Sequence, residues 1–184
     1  MKIQTKRLFI RPYVEDDIYA YHNLKSQEDI TYKAGIKPHP DLRTSEYRLQ
    51  SAMFSNDYYA VTLHDGTFIG DVNFYPDPVR RPKGVNGWQI GFMLDKKYWG
   101  HGYMQEALRA FIVYLFTKYP IDILSAVTLI DNDKSIKTIT SLGFKYDGII
   151  RNYMKMYNGD IVDCKIFTMT QNEFERNVIL WQKN

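Results

Sequence analysis

The chain has 184 residues, a usual size for one domain with a substantial core, and its 45% hydrophobic and 24% charged content is that of an ordinary globular protein. A surplus of 24 basic over 21 acidic side chains leaves a formal charge of +3, too weak and dispersed to imply a nucleic-acid partner. The single cysteine, Cys164, excludes an internal disulfide and a multi-thiolate zinc site, and no apolar run approaches membrane-spanning length.

The opening "MKIQTKRLFIRPY" has no signal-peptide core, so cytoplasmic residence without a membrane partner is the expectation. Within it, "RLFIRPY" (7–13) alternates like a half-buried strand and stops at Pro12. "EDDIYAYHNLKS" (15–26) opens with three acids, which suit a helix N-terminus. Residues 33–43 carry a glycine and two prolines and read as a loop, followed by a short helix over 44–54 with Thr44 as its cap. "YYAVTL" (58–63) and "FIGDVNFY" (68–75) flank "HDGT", a hairpin signal. The turn-rich 76–87 predicts an exposed loop whose Arg80, Arg81 and Lys83 read as a solvated basic cluster. "WQIGFMLD" (88–95) alternates again as a strand.

From Met104 the period changes. Met104, Ala107, Leu108, Phe111 and Leu115 fall at helical spacing and predict one apolar stripe facing a sheet. "ILSAVTLI" (123–130) has the apolar run of a buried central strand. Asn132 then caps a short helix that Gly143 stops. Two long strands follow, joined near "NGD", of which "RNYMKMY" (151–157) reads as an alternating sheet strand rather than a nucleic-acid surface. Thr170 and Glu173 form a capping box for a last amphipathic helix. Its Phe174, Val178 and Trp181 cover either this chain's own sheet or a second subunit, as in a homodimer. With no repeat and no linker, residues 1–184 read as a single domain. The class is α+β, with a largely antiparallel sheet between helices.

"WGHGYM" (99–104) lies between a predicted strand and a predicted helix. The amides from Gly100 to Met104 would be the free N–H groups of a helix start, and Gly100 and Gly102 permit positive φ. Such a nest suits a phosphate or pyrophosphate, but equally a plain strand-to-helix turn. No Gly-Lys-Ser/Thr follows, so it is not a Walker A loop, and a dinucleotide fingerprint would need a third glycine.

From residue 88 onward the chain resembles the GNAT superfamily of N-acetyltransferases, in particular its RimJ/RimL-type, ribosomal-protein N-terminal branch. The matching stretches are "IGFMLDKKYWGHGYMQEAL" and "NDKSIKTITSLGF", and the start "TKRLFIRPYVEDD" resembles the branch's T-x-R-L-x-L-R-P opening. The resemblance implies a three-layer fold with a mixed, largely antiparallel sheet. It implies acetyl-CoA as co-substrate, no metal, and an amine acceptor that is a protein N-terminus, a polyamine or an amine-bearing small molecule. It further implies that Trp99, Gly100, His101, Gly102, Tyr103 and Met104 hold the pyrophosphate. Phe92, Met93 and Leu94 would pair with the pantetheine arm, and Asn132 and Ser135 would complete the cofactor site. Trp99 stands where the superfamily usually has Gln or Arg, and Met104 where it usually has Gly or Ala.

Amide formation needs a neutral amine, donors for the tetrahedral oxyanion and a hydrogen bond or proton for the departing thiolate. By the resemblance, Ser135 serves the thiolate, because the tyrosine that many members place seven residues after the asparagine is Ile139 here. The oxyanion donor falls to a backbone N–H of strand 88–95, with that of Met93 the first candidate. Relatives often carry a glutamate as base where this chain has Gln89, which cannot act as one. Asp71 is the substitute base, or else an exposed strand residue, and water relaying the proton to bulk is a third route. Gln89 and Asp163 are the candidate acceptor-binding residues, while Asp160 reads as a turn residue. His22, His39, His64 and His101 have no metal-ligand spacing, so no metal is expected. The leading reading is an acetyl-CoA-dependent N-acetyltransferase working by direct attack in a ternary complex. A coenzyme A-binding sensor without catalysis is the alternative.

Overall fold

The computed structural model describes residues 1–79 and 84–181, so Arg80, Arg81 and Lys83 lie outside the described residues. In chain order the elements begin with strands β1 (Ile3–Gln4) and β2 (Leu8–Arg11), a 3-10 turn and helices α1 (Ile18–Ser26), α2 (Glu28–Lys33) and α3 (Leu42–Met53). Strands β3 (Tyr58–Leu63), β4 (Phe68–Pro76) and β5 (Gly87–Leu94) follow, then a second 3-10 turn, helix α4 (Tyr103–Lys118) and strand β6 (Ile123–Leu129). Helix α5 (Asp133–Ser141), strands β7 (Lys145–Lys155) and β8 (Ile161–Thr170) and helix α6 (Gln171–Trp181) complete the described chain.

The eight strands make one sheet in the order β1-β2-β3-β4-β5-β6-β8-β7. Every neighbouring pair is antiparallel except β5 and β6, which run parallel because α4 carries the chain back across the sheet. The predicted stripe of α4 is buried, Met104, Ala107, Leu108, Phe111 and Leu115 included, and packs with Ile10, Val61, Val72, Phe74, Ile90, Leu124 and Phe167 from the strands. Each such side chain contributes about 1.5–3 kcal/mol on full burial, so this face carries much of the fold's stability. The opposite face is covered by α1 and α3, through Tyr21, Leu24 and Leu49 against Ala60, Phe68 and Met93. Helix α6 lies on this chain's own α4, with Phe174 stacked on Phe116 at 4.3 Å.

Two caps match their sequence signals. Asn132 Oδ1 accepts from the Ser135 N–H at 3.3 Å, and Glu173 Oε2 accepts from the Thr170 N–H at 2.9 Å. Helix α3 begins two residues before the expected 44 because Asp41, not Thr44, is its cap: Asp41 Oδ1 accepts the Thr44 N–H at 2.7 Å. Helix α2 was not expected from a sequence as polar as EDITYK. It is short, is anchored by buried Ile30 and Thr31, and makes exposed ion pairs to both lips of the central cleft. The 76–87 loop is not uniformly exposed, since Asp77 is fully buried.

Phe111 is fully buried and meets the rings of Tyr59 and Phe74 edge-on. Phe111→Ala is expected to cost about 3–5 kcal/mol in urea denaturation, and a loss below about 1 kcal/mol would contradict this packing.

Candidate active site

Strands β5 and β6 pair over only four residues, from Gly87↔Ile123 to Ile90↔Ala126, and then diverge. Each keeps its outer partner beyond that point: β5 pairs with β4 as far as Leu94↔Gly70, and β6 with β8 as far as Leu129↔Cys164. A gap therefore opens in mid-sheet, and a cleft of about 850 Å³ runs through it.

Strand alternation decides which backbone groups face this gap. Asp95 donates its N–H to Ile69 C=O on β4, and Gly87 C=O accepts from Asp77, so the odd-numbered residues of β5 turn toward β4. The N–H of Met93, the first candidate for the oxyanion, belongs to that set and is turned away from the gap. The groups turned into it are those of Phe92 and Leu94. Leu94 C=O is already held at 2.9 Å by the indole Nε1 of Trp99. On the opposite wall, Thr128 Oγ1 is buried without a hydrogen-bond partner among the described residues.

At one end of the cleft lies the glycine loop. Gly100 and Gly102 adopt φ of +82° and +74°, values that side-chain-bearing residues rarely hold. Gly102 is the N-cap of α4, and the first helical bond runs from Glu106 N–H to Gly102 C=O at 3.0 Å. The amides of Tyr103, Met104 and Gln105 precede it and have no helical carbonyl to reach. Space beside Gly100 is open, with no atom within 4 Å of a Cβ built there. Lys134, in the first turn of α5, places its ammonium 3.5 Å from the centre of the Trp99 ring and borders the same cleft.

Of the expected cofactor residues, Phe92, Met93, Leu94, Trp99, Gly100, Gly102, Tyr103, Met104, Asn132 and Ser135 line the cleft. His101 does not line it; its carbonyl accepts from Arg7 Nη1 at 2.9 Å, and its ring lies 5.7 Å from that of Tyr103. Met104 is buried in the core with the rest of the α4 stripe.

At the far end Gln89 is only 5% exposed. It donates from Nε2 to the Tyr75 hydroxyl at 2.5 Å, while its Oε1 is buried with no partner among the described residues. Tyr153 and Cys164 also line the cleft. Burial raises the Tyr75 phenol to about 12 and the Cys164 thiol to about 11, so neither is ionised near neutral pH. Helix α2 spans the mouth: Asp29 pairs with Lys96 after β5, and Lys33 with Asp131 after β6 at 2.5 Å.

Two sequence candidates fall elsewhere. Asp71 is neither exposed nor in the cleft: its carboxylate is buried, paired with Lys25 Nζ at 2.6 Å and accepting from the Tyr13 hydroxyl at 3.0 Å. With both partners engaged behind β5, it is not offered to an amine in the cleft. Asp163 is at the β7 bulge, where Oδ1 accepts at 2.8 Å from the N–H of Asn152, whose φ is +54°. Asp160 stays in the turn, accepting from Asn158 at 2.7 Å. Among the described residues no group of three or more His, Cys, Asp or Glu could hold a metal ion, and no helix is long and apolar enough to cross a membrane.

Residues 7–145 match the sequence profile of the Acetyltransferase (GNAT) domain, which covers most of the chain. The chain belongs to the GNAT acetyltransferases. This GNAT chain is similar to an uncharacterized N-acetyltransferase, p20, of Bacillus licheniformis, with 24% identity over 185 residues, spanning 94% of this chain and 97% of that protein. Its fold is that of a GNAT-family acetyltransferase from Bacillus anthracis, with a TM-score of 0.81 and 20% identity over 94% of this chain and 99% of that one. Spermidine N-acetyltransferase from Vibrio cholerae, solved in complex with CoA and spermine, superposes with a TM-score of 0.77 at 17% identity over 93% of this chain and 99% of that one.

Lys134, Thr128 and Tyr75 were absent as roles from the sequence reading of this GNAT chain, which names the Phe92 backbone only for the pantetheine arm. No spacing links Lys134 to Trp99, because only the close approach of α5 to the loop brings them together. The Lys25–Asp71 pair predicts a stability effect rather than a pH limb in activity. Asp71→Ala leaves an unpaired buried ammonium and is expected to cost about 3–5 kcal/mol in chemical denaturation, much of it recovered when Lys25→Met is added.

Proposed function

We propose that this enzyme transfers acetyl from acetyl-CoA to a primary amine by direct attack within a ternary complex. The observation that carries the reading is the mid-sheet gap running from a helix N-terminus with two positive-φ glycines to a buried, unpartnered amide oxygen. The residues fit the co-substrate. Unpaired α4 amides and the helix dipole suit its pyrophosphate, and the backbone groups of Phe92 with the Leu94 N–H suit its peptide-like arm. The orphan Thr128 hydroxyl adds a donor or acceptor on the other wall.

Lys134 supplies the cation that the loop itself lacks. The Phe92 or Leu94 N–H serves as donor to the thioester oxygen as charge develops there. The Ser135 side chain hydrogen-bonds the departing sulfur, and Asn132 holds the helix start that positions it. Gln89 Oε1 accepts from the attacking amine. It cannot remove the proton, which passes to water. Holding both reactants in one cleft supplies much of the acceleration, since effective molarities reach ~10⁵ M or more. The T-x-R-L opening and the W-G-x-G-Y run support a RimJ/RimL-type enzyme, with protein N-termini, polyamines and small amines as the acceptor classes to test.

Thiol release from acetyl-CoA, assayed against peptide N-termini, polyamines and aminoglycosides beside a calorimetric acetyl-CoA titration, tests this. Turnover with one class is expected; absence of binding would sink the reading. Gly102→Val forces a branched side chain into a left-handed position and should weaken acetyl-CoA binding at least about ten-fold. Lys134→Gln should weaken it roughly five-fold and flatten its salt dependence.

A further inference from the structure

Two motif stretches quoted from the sequence meet at a site that the proposed chemistry does not use. Glu106, on the first turn of α4, takes three hydrogen bonds from the β1–β2 turn. Thr5 Oγ1 donates to Oε1 at 2.6 Å, Arg7 N–H to Oε1 at 2.8 Å and Arg7 Nε to Oε2 at 2.6 Å. The same guanidinium donates from Nη1 to His101 C=O at 2.9 Å and lies 4.5 Å from the centre of the Tyr103 ring. Burial works against the Glu106 charge, but the hydrogen bonds from Thr5 and Arg7 outweigh it and hold the carboxyl below its ordinary range.

His101 stands between the two left-handed glycines, the most freely rotating part of the loop. A trans peptide points its C=O and the next N–H in opposite directions. Fixing His101 C=O on Arg7 therefore fixes the Gly102 N–H on the side away from Arg7. Arg7 does not line the cleft and Gly102 does.

We infer that Arg7 and Glu106 are positioning residues that aim the Gly102 N–H, and with it the phosphate loop, at the coenzyme. This rests on the reading of the loop as the pyrophosphate site. Arg7 spans two acceptors, Glu106 Oε2 and His101 C=O, from two different nitrogens of one rigid fork. A lysine ammonium has no such fork, so charge alone does not replace it.

The test uses the full chain, with CoA binding by calorimetry, steady-state kinetics against acetyl-CoA and against the acceptor, and thermal melting. Glu106→Gln and Arg7→Lys should each raise the CoA dissociation constant and the acetyl-CoA KM roughly ten-fold. Acceptor KM, kcat and the melting midpoint should stay near wild type. Arg7 is 41% exposed at its side chain, so Arg7→Lys is expected to fold even if Glu106→Gln does not. Unchanged CoA affinity in a folded Arg7→Lys chain would overturn the inference. A fall in melting midpoint and kcat together with a rise in both KM values would overturn it too, by showing a merely structural tie. Wild-type protein that does not bind CoA at all would instead defeat the underlying assignment of the loop, and the inference with it.

Discussion

The structure depends on one constraint: backbone hydrogen-bonding groups in the middle of a sheet must find partners, and β5 and β6 stop supplying them to each other after Ile90 and Ala126. Sheets rarely leave such a gap. Here it persists because each strand is fully paired on its other side, so neither can swing across to close it. The cost falls on the groups facing inward. Trp99 satisfies one of them, Leu94 C=O, with its indole N–H. The others, among them the Phe92 groups, face the cleft, which follows directly from the divergence.

Around the glycine loop, three independent contacts replace the rigidity that glycine gives up. The Trp99 indole ties its start to β5, Lys134 covers the Trp99 ring, and Arg7 holds the carbonyl of His101. The loop can thus keep the backbone shape that only glycine permits while losing little of it to motion. A tryptophan at the first loop position is understandable in these terms, as a side chain that both satisfies a carbonyl and presents a face to a cation.

The face of the sheet toward α1 and α3 is less apolar than the face under α4. Asp71 and Lys25 form an ion pair there with Tyr13, and Gln89 binds Tyr75 closer to the cleft. The first set is closed on itself and anchors α1 to β4. The second leaves Gln89 Oε1 without a partner. That contrast separates a polar cluster closed on itself from one with an unmet acceptor, although both are buried carboxylate or amide groups on neighbouring strands.

Local signals in the sequence determined most of the architecture. The helical stripe from Met104 to Leu115, the caps at Asn132 and Thr170, the positive φ of Gly100 and Gly102, and the alternating strands all depend on residues within a few positions of each other. Such effects act over one turn or one pleat and can be read without the fold. Tertiary structure alone decided the rest. It turned Met93 N–H to β4 and Phe92 to the gap, withdrew Asp71 into a pair with Lys25, moved Asp163 to a bulge, and brought Lys134 to Trp99 and Arg7 to His101. Each of these is set by which distant element packs alongside and in which register, and a one-residue change of register reverses which way a strand's groups face.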